Sequence, residues 1–299
     1  MLGLKHNPKE SLLNVIRKMK AHWRAKNYQG EVRSAQQPED YTLVFRDLFN
    51  GPLNTEKWRY GMRWGDFHPD ALYQYYDTNG TLSYVSTEGL VLELRNIPKT
   101  YIKRQLPEWR QSPNMPEEFT IPTGVGLVTS NDGWQYGWFE AWIKLPKGQS
   151  YWPAFWLSGV NSWPPEIDIF EAYSDQGPDY DGKFLFSKMK GKRIQPNLHY
   201  GVVEEGTKKM YGPYDVPVAD CTDRFVQYAC HWERDFIKIY YDGALVFETT
   251  DPDVLKWYNR EKDQMLVIFN HGRMKDQPNG GLPYESAMIV KSFSVWQKK

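Results

Sequence analysis

Residues 236–249 read Phe-Ile-Lys-Ile-Tyr-Tyr, Asp-Gly, Ala-Leu-Val-Phe-Glu-Thr: two runs of β-formers separated by a pair of residues that tolerate positive φ. A two-residue Asp-Gly loop matches the twist of an antiparallel hairpin and has no place inside a helix. The pattern recurs along the chain. Asn79-Gly80, Asp132-Gly133 and Asp181-Gly182 are further turn dipeptides, and residues 89–95, 124–129, 136–145, 152–157, 264–270 and 287–296 read as strands.

Many short strands, little helix, no internal repeat and no glycine-rich phosphate loop predict an all-β fold. The expected form is a two-sheet sandwich or β-jelly-roll filling residues 41–299 as one domain. Residues 97–123 break the rhythm. Prolines at 98, 107, 113, 116 and 122 make this stretch too interrupted for a strand, and loops so long in compact domains are usually functional or mobile. Residues 1–40 differ again: Leu12, Ile16, Met19 and Trp23 recur at helical spacing with Arg17, Lys18, Lys20 and Arg24 between them. This predicts a short basic amphipathic helix and a polar linker. Its apolar stripe is expected to pack on the chain's own domain, with a membrane-surface role as the alternative.

Charge and composition mainly exclude. Lys plus Arg total 37 and Asp plus Glu 37, so no global field draws nucleic acid, which is not expected as a partner. No run of 18 apolar residues predicts a transmembrane segment, and no signal-peptide core is visible; localisation and oligomeric state stay open. Cys221 and Cys230 are the two cysteines; Cys230 sits in the strand-like run 225–232 and Cys221 in the loop before it, which argues against a bridge. The 13 Trp and 20 Tyr exceed what a core alone requires, because indole N–H and phenol O–H groups want partners. Flat amphipathic faces suit a carbohydrate site as well as a Trp-rich core.

The chemistry concentrates in Pro-Pro-Glu-Ile-Asp-Ile-Phe-Glu-Ala, residues 164–172, where Glu166, Asp168 and Glu171 interrupt an apolar strand. Unpaired carboxylates in a half-buried strand oppose folding, so the three must be solvated in a cleft, paired or bound. Alternation puts Glu166 and Asp168 on one face and Glu171, five residues on, on the other. A one-residue β-bulge between Asp168 and Glu171 restores a shared face and leaves Ile167 and Ile169 on the core side. The α-carbons are then roughly 13 Å apart, and side chains leaning inward bring the carboxyls to roughly 5 Å, the separation for double displacement with retention. Glu166 would attack, Glu171 would serve as acid and then base, and Asp168 would orient the nucleophile. His199, in Asn-Leu-His-Tyr, is a candidate partner of these acids. A Ca²⁺ site or a solvated charged face are the other readings of the same triplet.

With these residues in view, the chain resembles glycoside hydrolase family 16. The motif Glu-x-Asp-x-x-Glu is preceded in the family's order by residues 136–146 (Tyr-Gly-Trp-Phe-Glu-Ala-Trp-Ile-Lys-Leu-Pro) and 152–157 (Trp-Pro-Ala-Phe-Trp-Leu). Residues 44–51 with Trp58 resemble the opening strand, and His199-Tyr200 and 237–243 resemble later ones. The resemblance covers about residues 41–299 and implies a β-jelly-roll with a concave cleft. Glu166 then resembles the nucleophile, Asp168 the assisting acid and Glu171 the acid/base. Trp152 and Trp156 lie where the family has cleft aromatics, and Trp64, in Arg63-Trp-Gly65, resembles a sugar-stacking residue. Arg63, His199, Tyr200 and Arg193 complete the candidate substrate contacts.

The extra residue in the motif resembles the bulged branch of laminarinases, agarases, porphyranases and carrageenases. That likeness implies a retaining endo-hydrolase of β-1,3-glucan or of a β-galactan; a transglycosylase or a non-catalytic glycan-binding jelly roll are the alternatives. No cofactor is expected. The resemblance implies a structural Ca²⁺ in many relatives, but its acidic positions here hold Leu48 and Lys291, so that site is expected to be absent. Residues 66–72 and 270–275 also depart from the laminarinase pattern. Lys183, Lys188, Lys190, Lys192 and Arg193, with Arg104 and Arg110, would pair sulfate or uronate groups if they line the cleft.

Overall fold

The computed structural model describes residues 8–68, 71–148, 150–173, 181–184, 187–190, 193–203, 205–212, 215–260, 264–275, 282 and 285–299, with the backbone alone for 181–184, 187–190 and 193. Among these residues two large sheets face each other, antiparallel throughout except where Tyr75–Tyr76 runs parallel to Gly124–Val125. The larger runs in the order Ala244–Thr249, Phe236–Tyr241, Val226–Glu233, Gly137–Lys144, Ser286–Lys298, Gly89–Arg95, Gly124–Val125, Tyr75–Tyr76; Tyr41–Asp47 and Ser83–Ser86 join it at Ser286–Lys298 and Gly89–Arg95. The smaller runs Lys209–Tyr211, Arg193–Tyr200, Glu166–Tyr173, Ala154–Gly159, Met265–Asn270, Leu127–Trp134, Trp58–Tyr60. This is the β-jelly-roll that the strand pattern predicts.

Period-two alternation sends one row of each strand into a common core. In Ala154–Gly159, Phe155 and Leu157 point inward, and Phe155 stacks on Phe269 at 4.7 Å and meets Phe293 of the opposite sheet at 6.0 Å. Trp58 and Phe45 extend this aromatic layer. Cys221 and Cys230 are both buried and unbridged. The Asp242-Gly243 turn has φ of 50° and 75°, the left-handed pair its hairpin needs.

Three expectations change, the first for two dipeptides, since Asp181-Gly182 lies in the strand Asp181–Phe184, paired with Ser187–Lys190. Asp132-Gly133 is not a turn: it lies inside Leu127–Trp134, where two strand neighbours, Leu266 and Ile268, face Gly133 and Thr129. The dipeptide occupies this bulge, where a Cβ on Gly133 would press within 2.9 Å of Val160. Residues 97–123 do contain strands, Lys99–Ile102 paired with Glu118–Ile121, because Pro98 and Pro122 fall just outside the ladder. This arm has its own core of Phe67, Tyr101, Met115 and Ile121. Asp66 clamps it, accepting from Arg110 at 2.5 Å, Tyr101 at 2.7 Å and Lys99 at 2.9 Å. Burial alone would raise the Asp66 carboxyl, and the three donors outweigh it and hold it below the usual range.

The third change concerns the helix Pro8–Lys26, which packs polar side first. Glu10, Asn14, Lys18 and Ala21 are buried, while Leu12, Ile16, Met19 and Trp23 face outward. The cause is the edge it covers. Strand Ala244–Thr249 ends the larger sheet with unpaired peptide groups, a liability in any sheet. Asn14 closes it in both directions, donating to the Glu248 carbonyl and accepting from the Glu248 N–H, each at 3.0 Å. Glu10 accepts from Thr249 at 3.0 Å and from the Thr250 hydroxyl at 2.7 Å on that strand's end, and from Tyr211 of the smaller sheet at 3.2 Å. An apolar face offers none of these partners.

Urea unfolding checks this packing. Phe155→Ala is expected to cost about 3–5 kcal/mol, and Asn14→Ala about 1–3 kcal/mol because the Glu248 peptide loses its partner. Leu12→Ala is expected to stay within about 0.5 kcal/mol, and a loss equal to that of Asn14→Ala would contradict the polar-face docking.

Candidate active site

Strand Glu166–Tyr173 occupies the middle of the smaller sheet, and its register is irregular on both sides. Glu166 faces Ser158 and His199, Asp168 faces Trp156 and Asn197, and Glu171 faces Ala154 and Gln195. Five steps along this strand therefore oppose four along each neighbour, with the shift lying between Asp168 and Glu171. Ile167, Ile169, Phe170 and Ala172 all join the core, so the bulge puts two consecutive side chains inward. Tyr241 of the opposite sheet donates to the Ile169 carbonyl at 2.8 Å, satisfying a group that the bulge takes out of the ladder. Burial, and then the Asp168 and Glu171 charges, push the Tyr241 phenol up, which keeps it a donor.

As a result Glu166, Asp168 and Glu171 line one pocket of about 650 Å³. Trp163 Nε1 donates to Glu166 at 2.7 Å. Trp152 Nε1 and Tyr173 Oη donate to Glu171 at 3.0 and 2.7 Å. His199 Nε2 stands 3.4 Å from Glu166 and 3.3 Å from Asp168, and Asn197 braces the ring at 3.1 Å. From below, Tyr258 donates to the carbonyls of Glu166 and His199 at 3.1 and 2.8 Å, tying the two strands at the site.

Burial, followed by the neighbouring Asp168 charge, pushes Glu166 well above the usual carboxylate range. Burial and the Glu171 charge do the same to Asp168, whose carboxyl is within hydrogen-bonding reach of Glu166. Two such groups titrate as a set and share a proton between them. Burial lowers His199, against the pull of Glu166 and Glu171, so the imidazole is neutral near pH 7. Glu166, Asp168 and His199 are the one group of three metal-ligating side chains close together among the described residues.

The other candidates divide. Trp64, Trp152 and Trp156 line the pocket. Trp156 is anchored by Asn270 at 2.7 Å, and Trp64 keeps a buried N–H with no partner among the described residues. Tyr200 is not a cleft residue: next to His199 on an alternating strand, it faces the core and is 3% exposed. Arg63 lies outside the pocket lining, donating to the Val160 carbonyl with its guanidinium 6.0 Å from the Trp64 ring. Arg110 is buried against Asp66, and Arg104 pairs with Glu117 on the surface, so neither is a cleft cation. The side chains of Lys183, Lys188, Lys190, Lys192 and Arg193 lie outside the described residues.

Comparison with known proteins joins this geometry to a lineage. The family model for glycosyl hydrolases family 16 matches residues 71–281. The chain belongs to that family. A beta-glucanase of Rhodothermus marinus is 30% identical over 79% of this chain and 76% of its own length. A glucan endo-1,3-beta-glucosidase of Cryptopygus antarcticus is 27% identical over 65% of this chain, and the match spans 64% of that relative. The fold is also that of the catalytic domain of a Thermotoga petrophila RKU-1 laminarinase, with a TM-score of 0.61 at 20% identity, covering 88% of this chain and 100% of that one.

Within the family frame, several residues in or beside the pocket escaped the sequence reading. Trp163 stands three positions before Glu166, and that proximity is its sequence signal. Asn197 shares its strand face with His199 by simple alternation. Trp109, from the 97–123 arm, and Tyr73, Gln74 and Tyr76 enter the pocket from loops and short strands that carry no local signal.

The raised carboxyls carry a stability consequence. The native chain binds more protons than the unfolded one between the ordinary carboxylate pKa and the raised one, so stability falls as pH rises through that window. Glu166→Gln is expected to raise the melting temperature at pH 7 by about 2–4 °C, with the gain shrinking as pH falls toward 4. A gain that grows on acidification would contradict the assignment.

Proposed function

We propose that the chain is a retaining, endo-acting glycoside hydrolase of neutral β-glucan containing β-1,3 linkages, with Glu166 as nucleophile and Glu171 as acid/base. One observation carries the reading: three carboxylates share a face at the floor of an aromatic pocket, and each glutamate is held by a tryptophan N–H. Glu166 attacks the anomeric carbon while Glu171 gives its proton to the departing oxygen. Glu171 then takes a proton from water, which attacks the same carbon and frees Glu166. Asp168 positions Glu166 and, by holding a proton, leaves the negative charge on the attacking oxygen.

The lining supports a neutral substrate. Its described lining holds no Lys or Arg, and the nearby Lys208 ammonium sits 4.1 Å from the centre of the Trp163 ring, whereas Met62, Trp64, Trp109, Trp152, Trp156 and Trp163 offer flat or apolar surface to sugar C–H faces. The names of the Cryptopygus and Rhodothermus relatives point the same way. A structural Ca²⁺ is not part of this proposal. Leu48 has no side-chain oxygen, and the Lys291 ammonium lies 5.5 Å from the centre of the Phe225 ring, so the two places do not fit the cation.

A reducing-sugar screen tests the substrate: laminarin is expected to be cut, and agarose, porphyran and carrageenans are not. Proton NMR is expected to show the β-anomer first. Glu171→Gln is expected to lower kcat about 10²–10⁴-fold with laminarin binding retained. Cleavage of charged galactans alone would refute the neutral substrate, and an inverted first product would refute retention. Chelation with EDTA is expected to leave the melting temperature unchanged.

A further inference from the structure

The outward side of the N-terminal helix has no role in the site or the core. Leu12, Leu13, Ile16, Met19 and Trp23 are 62, 48, 39, 49 and 68% exposed. At about 1.5 Å per residue, the ridge from Leu12 to Trp23 runs roughly 16 Å. The buried set, Glu10, Asn14, Lys18 and Ala21, lies on the opposite side of the helix. Lys9, Lys20 and Lys26 are exposed along the flanks of the ridge. The helix has a single acid, Glu10, and its carboxylate is turned inward onto Tyr211, Thr249 and Thr250. The exposed side thus offers only apolar groups and cations.

We propose that this face docks the protein on an anionic phospholipid surface, with the ridge in the acyl boundary and the lysines at the headgroups. The charge pattern selects this occupant. In a second copy packed face to face, lysines would meet lysines with no acid on either ridge to pair them. The helix is not long and apolar enough to cross a bilayer, and its polar side is already bonded to the sandwich edge, so it lies along the surface. Trp23, near the end of the ridge, suits the interfacial layer. Because Glu10 also holds Tyr211 of the smaller sheet, docking brings the edge of the sheet that carries the acidic triplet toward the membrane.

Co-sedimentation of the full chain with vesicles tests this, using phosphatidylcholine alone and phosphatidylcholine with phosphatidylglycerol. Binding is expected to the mixed vesicles only, and to weaken as salt rises. Lys20→Gln and Lys26→Gln are each expected to weaken it about fivefold. Ile16→Glu is expected to abolish it at an unchanged melting temperature, since that side chain faces outward. Equal binding to both vesicle types, or full binding by Ile16→Glu, would overturn the proposal. So would a dimer in light scattering that Ile16→Glu dissolves, with no vesicle binding.

Discussion

A hydrogen bond between the two sheets, from Tyr241 Oη to the Ile169 carbonyl, holds the feature on which the site depends. A bulge removes a residue from its ladder, and a buried carbonyl left without a partner costs about 1–3 kcal/mol. Tyr241 supplies the missing donor from across the core. With the bulge in place, a spacing of five behaves as four, and Glu171 returns to the face that Glu166 and Asp168 occupy. Without it, Glu171 would enter a core of Phe155, Phe170 and Tyr228. Site geometry is therefore a property of how the sheets pack, and no loop is needed to assemble the acids.

Grouping three acids on one face works against folding, and the surroundings show how that cost is contained. Trp163, Trp152 and Tyr173 aim donors at the glutamates. Neutral His199 sits beside Glu166 and Asp168 without adding a full charge. Burial and mutual repulsion still leave Glu166 and Asp168 well above the ordinary range. The same arrangement that opposes stability provides the shared proton which the proposed double displacement uses.

Much of this was legible in the sequence because it follows from parity. Alternation with a spacing of five called for a bulge, and Asp-Gly between β-runs called for the 236–249 hairpin. The rest depends on contacts that local pattern does not encode. The helix presents its polar side inward because an unpaired strand edge more than 200 residues later needs amide and carboxylate partners. Tyr200 is a candidate contact through the family resemblance, yet alternation turns it to the side opposite His199, into the core. Asp132-Gly133 has turn chemistry but serves a bulge. Prolines 98 and 122 frame a strand pair in place of preventing one, and Trp109 reaches the pocket only because Asp66 clamps the arm through Arg110.

The central claim is that a bulge held from the opposite sheet brings the acids together, and the turnover of Tyr241→Phe tests it most directly. Tyr228→Phe is the control, since that buried hydroxyl has no hydrogen-bond partner among the described residues. On whichever β-glucan the parent chain cuts, kcat of Tyr241→Phe is expected to fall about 10²-fold, with KM little changed and Tyr228→Phe close to the parent. Equal kcat in both variants and the parent would contradict the account.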